Sequence, residues 1–370
     1  MGDADPQPNE SGIQAFGEAL GRGRKRLSWT RIVAEVVAVG ALVVFGWFER
    51  GTIIRSFGVA GRAEWDWLLA ACAFELLSMI AFARTQRIVL RAAGVHVSIP
   101  SVAATALAGN AISVSLPLIG PGAGSVFTYQ RFRQVAESPA PAGWTLLISG
   151  LISNLVWVFL IAVGGIVSGN PAAIWGGLFV AACVVGFTII GVLSLRRQRS
   201  RKLVIRIGIR FVSISQRLSG RPVGDPSDLT GEALDAVTAF RMRNRDWAQT
   251  IGLSMINWFA SVGCFVAAIL ATGASVPWTK VIIVYCIGAT ASSFNLTPGG
   301  LGVTEAVLAA GLVASGMGKV QALGSALIFR LVSFWLIMLV GWAIYSGIRR
   351  NRSRRVSSSL TEIIENLEDR

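Results

Sequence analysis

The sequence predicts an all-α polytopic membrane protein with about eight membrane segments in two inverted repeats, each containing a Pro/Gly-broken re-entrant hairpin. Three observations lead to this class. The 370-residue chain is 53% hydrophobic and only 15% charged, whereas about a quarter of the residues of a soluble protein are charged. Several apolar runs approach the ~20 residues that a spanning helix needs. Two hydrophobic segments are interrupted by Pro and Gly, which lipid tolerates only where protein or water satisfies the backbone.

The net charge of +14 does not indicate nucleic-acid binding, because Lys and Arg lie in blocks beside the apolar runs, as positive-inside topology requires. The chain has one histidine, His96, and four cysteines without CxxC spacing. These leave little material for histidine-based catalysis or for a metal site. No GxxxxGK[ST] motif is present, so transport would be passive or ion-coupled. We expect no cofactor.

The predicted elements follow the basic blocks along the chain. Residues 1–30 are a polar, basic N-terminal tail, typical of a disordered cytoplasmic segment. The transmembrane domain covers 31–348, with a first repeat over 31–168, a second over 171–348 and a cytoplasmic basic loop over 196–246. A cytoplasmic tail follows at 349–370. Membrane spans are predicted at 32–48, 67–83, 142–165, 172–195, 247–272, 281–294 and 320–348.

The first interruption follows a segment of small residues, which suits close helix contact better than exposure to lipid. The residues that we expect to break the helix here are Pro117, Gly120, Pro121, Gly122 and Gly124. The chain then continues to Arg131 and Arg133, whose charges predict the cytoplasmic face.

The second interruption lies within Asn295–Ala310, where Pro298, Gly299 and Gly300 break the helix. Helical apolar spacing resumes after Gly302. Gly302–Thr304 would therefore form the start of a short helix whose free amides and positive dipole end attract anions at membrane depth.

The basic blocks also predict that the two hairpins enter from opposite faces. The spans that flank the first hairpin end and begin inside, whereas those that flank the second lie outside at the corresponding points. Residues 108–124 (AGNAISVSLPLIGPGAG) align weakly with 286–302 (CIGATASSFNLTPGGLG). Inverted repeats with broken helices near the midplane are a recurring transporter architecture.

Three ionisable residues fall within apolar segments, where each is a functional candidate. Glu305 could hold an amino or sugar group or carry a proton, or could simply cap the helix that starts beside it. Arg330 could pair with Glu305 or Glu75, or bind a lipid phosphate. Glu75 could be a carboxylate on the pathway. Arg131 could receive lipid phosphates, although topological anchoring is the simpler explanation and the one that the sequence favours.

The motif PGGLGVTEA at 298–306 resembles the signature of the lysylphosphatidylglycerol synthase transmembrane family, also called the flippase-like family. Arg84-Thr85-Gln86-Arg87 with Ala92-Ala93-Gly94 is similar to the cytoplasmic basic turn of that family. The resemblance implies eight membrane segments with re-entrant helices, and a role in moving aminoacylated or glycosylated lipids between leaflets or in assisting lipid-linked sugar metabolism.

The chain departs from the family pattern at two positions. Ser125 occupies the expected place of an acidic residue in the first hairpin, and Thr304 stands where arginine is common in the second. The second departure argues against a lysyl-lipid substrate. We expect no synthesis of aminoacyl-lipid, because the soluble transferase domain has no room in this chain.

Together these features predict a non-enzymatic transporter of the inner membrane, with both termini cytoplasmic, that moves a phosphate-containing lipid headgroup between leaflets. Its partners would be a membrane phospholipid or lipid-linked sugar, with anionic headgroups at the basic loop. The alternatives are a scaffold that docks a lipid-modifying or glycosyl-transferring enzyme, and a membrane-embedded transferase. The residues predicted to bind the lipid are Pro121, Gly122, Gly124, Arg131, Asn295, Pro298, Gly299, Gly300, Gly302, Thr304, Glu305, Arg330 and Glu75.

Overall fold

The computed structural model describes residues 61–115, 120–136, 138–171, 174–179, 242–293 and 297–348, with isolated positions at 58, 182, 186 and 350. These residues belong to a compact unit that begins at Phe48. The predictions for the N-terminal tail, the span at 32–48, most of the span at 172–195, most of the basic loop and nearly all of the C-terminal tail lie outside the described residues.

The long helices of the described part are numbered here in chain order. They are α1 (Trp65–Ala92), α2 (Ile99–Ser115), α3 (Gly120–Ala136), α4 (Pro139–Val167), α5 (Asn244–Leu270), α6 (Val281–Ser293), α7 (Val303–Ala314) and α8 (Lys319–Arg330). A 3-10 turn, Pro298–Gly300, joins α6 to α7. A π-helical segment, Leu331–Leu336, follows α8, and the helix then continues to Ile348.

The prediction of an all-α polytopic membrane protein is confirmed. Four of the described helices are long and apolar enough to cross a membrane, namely Trp65–Ala92, Ala140–Val167, Asn244–Leu270 and Lys319–Ile348. Three further helices, α2, α6 and α7, are apolar but shorter. Large apolar side chains such as Leu69, Phe159 and Leu339 are exposed on the outside of the bundle, as contact with lipid requires.

Helices α1 and α5 pack against each other along their whole length and run in opposite directions. At one end the backbone N–H of Glu64 donates to the carbonyl of Ala271 at 3.0 Å. At the other end Arg91 lies 3.7 Å from Asp246. The start of each helix therefore lies beside the end of the other, and the pair forms the long axis on which the other helices pack.

Helix α1 is longer than the predicted span, which was placed at 67–83. Arg84, Arg87 and Arg91 lie in the last turns of this helix, and the turn itself comes at Ala93 and Gly94. The expectation that the span ends at residue 83 was wrong, because the side chains between the arginines, such as Leu90, are buried and keep the backbone helical against the bundle.

The first hairpin consists of α2 and α3, and the predicted break extended too far along the chain; its Pro117 lies outside the described residues. Helix α3 begins at Gly120, so Pro121, Gly122 and Gly124 lie within its first turns and do not break the helix. Proline fits there because the first helical turn needs no backbone N–H donor.

Close packing explains the glycines that the sequence suggested as helix breakers. A Cβ atom on Gly124 would lie within clashing distance of the Gly109 carbonyl oxygen of α2, and one on Gly120 would overlap the Ser113 carbonyl. The expectation of close helix contact in this small-residue segment is confirmed, since glycine here removes the side chain that would separate the two backbones.

The π-helical segment divides the last span into two parts that contact different neighbours. Before it, α8 packs on α5 and α7. After it, a Cβ atom on Gly341 would clash with the Leu107 carbonyl of α2, and Trp342 Nε1 donates to Ser115 Oγ at 2.9 Å. The span thereby contacts both hairpins.

Candidate functional site at the tip of the second hairpin

The tip of the second hairpin is a glycine turn that only glycine forms without strain. Gly299, Gly300 and Gly302 have φ angles of 60°, 68° and 81°, a region that costs an L-residue roughly 1–2 kcal/mol. Pro298 and Gly300 bound the 3-10 turn, and Gly302 precedes the first residue of α7. The predicted interruption and the start of a new helix at Gly302–Thr304 are confirmed.

Glu305 lies in the first turn of α7 and is 8% exposed. Its Oε2 accepts a hydrogen bond from the backbone N–H of Gly302 at 2.6 Å. The carboxylate thus satisfies one of the amides that a helix N-terminus leaves free, and its charge complements the positive end of the helix dipole. Glu305 therefore caps the N-terminus of α7.

Arg330, the last residue of α8, is 6% exposed and joins the last span to the hairpin tip. Its Nε donates to Glu305 Oε1 at 3.0 Å, and its Nη2 donates to the Gly299 carbonyl at 2.5 Å. Of the two partners proposed for Arg330, Glu305 is therefore the observed one. A buried pair of this kind is maintained because each charge would be costly to leave alone.

Phe334 completes the arrangement from the π-helical segment. The guanidinium carbon of Arg330 lies 4.1 Å from the centre of the Phe334 ring, a distance at which a cation is attracted to the ring face. The same ring fills the space beside Gly299, where a Cβ atom would overlap ring carbon Cε2. Sequence analysis missed Phe334, although its spacing of four residues from Arg330 on a helix was the available signal.

Some polar groups at the hairpin tip have no hydrogen-bond partner among the described residues. A guanidinium has five N–H donors, and described residues accept from two of those of Arg330. The hydroxyl of Thr304 is buried and has no hydrogen-bond partner among the described residues. Unused donors beside a helix N-terminus suit an anionic group.

The predicted site residues divide into a group that the fold brings together and a group that it leaves apart. Gly299, Gly300, Gly302, Thr304 and Glu305 share one turn, and Arg330 reaches it from α8. The turn packs on α2, so the two hairpins meet at this point.

Residues of the first hairpin have a different environment. Pro121 is exposed, whereas Gly124 is buried against α2. Arg131 lies two turns further along α3, where its Nη1 donates to Gln134 at 3.4 Å. Within the described ranges, no hydrogen bond or ion pair joins these three residues to Glu305 or Arg330. Asn295 lies outside the described residues.

Glu75 occupies a second buried polar position, in the interface between α1 and α5. It is 4% exposed, and its Oε2 has no hydrogen-bond partner among the described residues. One turn further along α1, Ser78 Oγ donates to Asn257 Oδ1 at 2.9 Å and lies 3.1 Å from Ser261 Oγ. Glu75 therefore lies one helical turn from a polar cluster on the α1–α5 axis, whereas Arg330 pairs with Glu305.

The fold and the buried Glu–Arg pair define a helical membrane protein with a polar site beside a broken hairpin. The family described as the lysylphosphatidylglycerol synthase TM region matches residues 31–341, and the chain belongs to this family. A curated relative, the UPF0104 membrane protein PH1989 of Pyrococcus horikoshii, is 22% identical over 339 residues, which cover 88% of this chain and 98% of the relative. The matched region is a membrane region and not the catalytic domain of the synthases.

Proposed function

We propose that this protein is a lipid transporter that moves a phosphate-containing lipid headgroup, carried by an aminoacylated, glycosylated or polyprenyl lipid, between the leaflets of the inner membrane. Both termini would be cytoplasmic, and the chain would not catalyse a reaction on the lipid. The observation that carries the proposal is the buried Glu305–Arg330 pair at the tip of a broken hairpin. Ionisable groups inside a membrane bundle are costly and commonly line a substrate or ion pathway.

The chemistry of this tip favours a phosphate over a neutral group. Among the described residues, only Glu305 and Gly299 accept hydrogen bonds from Arg330, which leaves it further donors. The planar guanidinium matches phosphate oxygens in a forked geometry. Glu305 would hold Arg330 in place between transport events, and the headgroup would take up the remaining donors when it arrives.

An inverted repeat is part of the proposal and rests on a constant spacing between helices. Helices α1, α2 and α3 end at residues 92, 115 and 136, and helices α5, α6 and α7 end at 270, 293 and 314. One offset of 178 residues relates all three pairs, and the same offset aligns 108–124 with 286–302. Because α1 and α5 are equivalent under this offset and antiparallel, the two halves would have opposite orientations in the membrane.

This symmetry supports transport because it offers two related conformations. In inverted-repeat transporters, one half rocks against the other around a site near the midplane, so that access alternates between the two sides. Here the contact between the second-hairpin turn and α2 is where the two halves would separate.

Translocation in vesicles tests the assignment of the site. Purified protein is reconstituted, and the flux of fluorescent phosphatidylglycerol, an aminoacylated phosphatidylglycerol and a polyprenyl phosphate sugar is compared. We expect Glu305→Gln and Arg330→Met each to lower the flux at least tenfold. Lys319→Gln, which removes an exposed positive charge from the same helix, is the matched control and should transport as the wild type does.

Loss of the fold must be separated from loss of transport, since breaking one side of a buried pair costs roughly 3–5 kcal/mol. The double variant Glu305→Gln/Arg330→Gln leaves no unpaired charge and should run as a monodisperse peak in size-exclusion chromatography. A folded double variant without flux supports the site. Wild-type flux in both single variants would exclude it.

The scaffold alternative gives a different result in the same vesicles. A protein that only docks a lipid-modifying enzyme would move no lipid when it is reconstituted alone. The regions that this alternative needs, most of the basic loop and the C-terminal tail, lie outside the described residues, so only the measurement decides between the two.

A further inference from the structure

A cavity lies at the opposite end of the α1–α5 axis from the Glu64–Ala271 contact. It has a volume of about 930 Å³, within the range of ligand pockets, roughly 300–1,000 Å³. Five arginines and one carboxylate line it: Arg84, Arg87, Arg91, Arg243, Arg245 and Asp246. The lining therefore carries four more positive than negative side chains, and the transport site proposed above uses none of them.

The arginines converge on this cavity from two distant parts of the chain. Arg84, Arg87 and Arg91 are spaced by three and four residues along α1, so they share one helix face. Arg243 and Arg245 come from the start of α5, about 150 residues later in the chain. The positive-inside rule requires only that arginines lie near the cytoplasmic ends of the helices. It does not explain why arginines from α1 and α5 line the same cavity.

Most of this positive charge is not neutralised by the described residues. Arg91 forms an ion pair of 3.7 Å with Asp246, and its side chain is 49% exposed; exposed pairs of this kind are weak. Arg87 Nε donates to the Val97 carbonyl at 2.8 Å, which fixes the guanidinium but leaves its two terminal nitrogens without a partner among the described residues. Arg84 forms no hydrogen bond or ion pair with any described residue.

Apart from Gln249, the remaining wall of the cavity is apolar. Ile88 of α1, Ile99 at the start of α2, and Leu253 and Ile256 of α5 line it. A cavity with arginines on one side and branched aliphatic side chains on the other suits a phosphate that carries a hydrocarbon group, although the arginines alone would also bind free phosphate.

We propose that this cavity, the α1–α5 arginine cavity, binds a phosphate-bearing anion on the face that the charge pattern predicts to be cytoplasmic. The shared chemistry is a phosphate held by Arg84, Arg87 and Arg91, and its source is either a lipid headgroup or the free ion. This site is separate from the Glu305–Arg330 pair and goes beyond the proposed transport, because it requires binding and no translocation.

Binding to the full-length protein in phosphatidylcholine nanodiscs tests the proposal, with inorganic phosphate and water-soluble dihexanoyl phosphatidic acid titrated by calorimetry. We expect saturable binding of the lipid phosphate, weakened about tenfold by Arg84→Gln and by Arg87→Gln, since a charge-assisted hydrogen bond contributes that much. Arg133→Gln removes an exposed arginine of α3 outside the cavity and should change the affinity less than twofold.

The two probes distinguish the sources of the phosphate. Tighter binding of dihexanoyl phosphatidic acid identifies a lipid headgroup site, whereas equal binding of inorganic phosphate identifies a site for the free ion. Arg84 is exposed and unpaired among the described residues, so its substitution leaves the fold intact. Equal loss in Arg84→Gln and Arg133→Gln, or no saturable binding of either probe, overturns the proposal. Wild-type protein that binds a probe in nanodiscs but moves no lipid in vesicles would support this cavity and not the proposed transport, so the failure of one proposal is distinguishable from the failure of the other.

Discussion

Substitution of Gly299 by alanine should destabilise the protein more than substitution of any comparably strained glycine that has open space around it. The φ angle of Gly299 is 60°, which costs alanine roughly 1–2 kcal/mol. The new methyl group would also overlap the ring of Phe334, and overpacking of this kind costs about 1–3 kcal/mol. The expected loss of unfolding free energy is therefore about 2–5 kcal/mol.

Gly273 provides the matched control. Its φ angle is 68°, and apart from its chain neighbours no described residue has an atom within 4 Å of where its Cβ would be. Gly273→Ala should therefore lose only the backbone part, roughly 1–2 kcal/mol. The difference between the two variants, about 1–3 kcal/mol, measures the contact with the ring.

Reversible unfolding in mixed micelles of dodecyl maltoside and SDS gives both free energies. Phe334→Leu introduced into Gly299→Ala should recover part of the loss, because the smaller side chain leaves room for the methyl group. Equal destabilisation of the two alanine variants, or no recovery on shortening Phe334, would refute the packing described at the hairpin tip.

Three further predictions concern the packing, the buried carboxylate and the topology. Gly124→Ala should lower the free energy of chemical unfolding by about 1–3 kcal/mol, because its methyl group would meet the Gly109 carbonyl. Gly150→Ala, which has open space around it, should not lower it. Similar values for both variants would contradict the close α2–α3 contact. Glu75→Leu should raise the unfolding free energy by about 1–3 kcal/mol, because it removes a buried oxygen without a partner in the described structure. The same variant should lower lipid flux in vesicles. Unchanged flux would show that Glu75 is not part of the transport pathway. In a cysteine-free background, Ser138→Cys and Gly318→Cys, which precede α4 and α8, should react with an impermeant maleimide from opposite sides, and labelling from the same side would exclude the inverted repeat.

The ends of the membrane helices were largely predictable, because apolar runs bounded by charges are a strong signal in a membrane protein. The spans predicted at 142–165 and 320–348 correspond to Pro139–Val167 and Lys319–Ile348. The break at Pro298 was also predictable, since three closely spaced glycines follow it and adopt positive φ angles.

Two features of the fold could not be read from the sequence. Glycine marks both helix breaks and close helix contacts, so Gly120 and Gly124 were assigned to a break when they are inside α3 and pack on α2. Arginine similarly occurs either in a loop or in the last turns of a long helix. At Arg84 the helix continues, because the residues that follow it are buried against the bundle.

The sequence identified the main residues of the candidate site but not which carboxylate pairs with Arg330. Glu305 and Arg330 were both identified, yet two carboxylates were available to Arg330, and residue type alone does not choose between them. The choice depends on the packing of α8 against α7, which is a tertiary property. The α1–α5 arginine cavity was missed for the same reason, because its two halves are distant in the chain.

The π-helical segment at Leu331–Leu336 fixes the rotational phase of the last span. Each residue of an α-helix turns the chain by about 100°, and a π-helical turn accommodates one residue more than a regular turn does. Removing a single residue there would restore a regular helix and swing everything beyond it by about 100°. Arg330 would still face Glu305, but Gly341 would turn away from the Leu107 carbonyl. One extra residue therefore allows a single helix to place Arg330 against the second hairpin and Gly341 against the first.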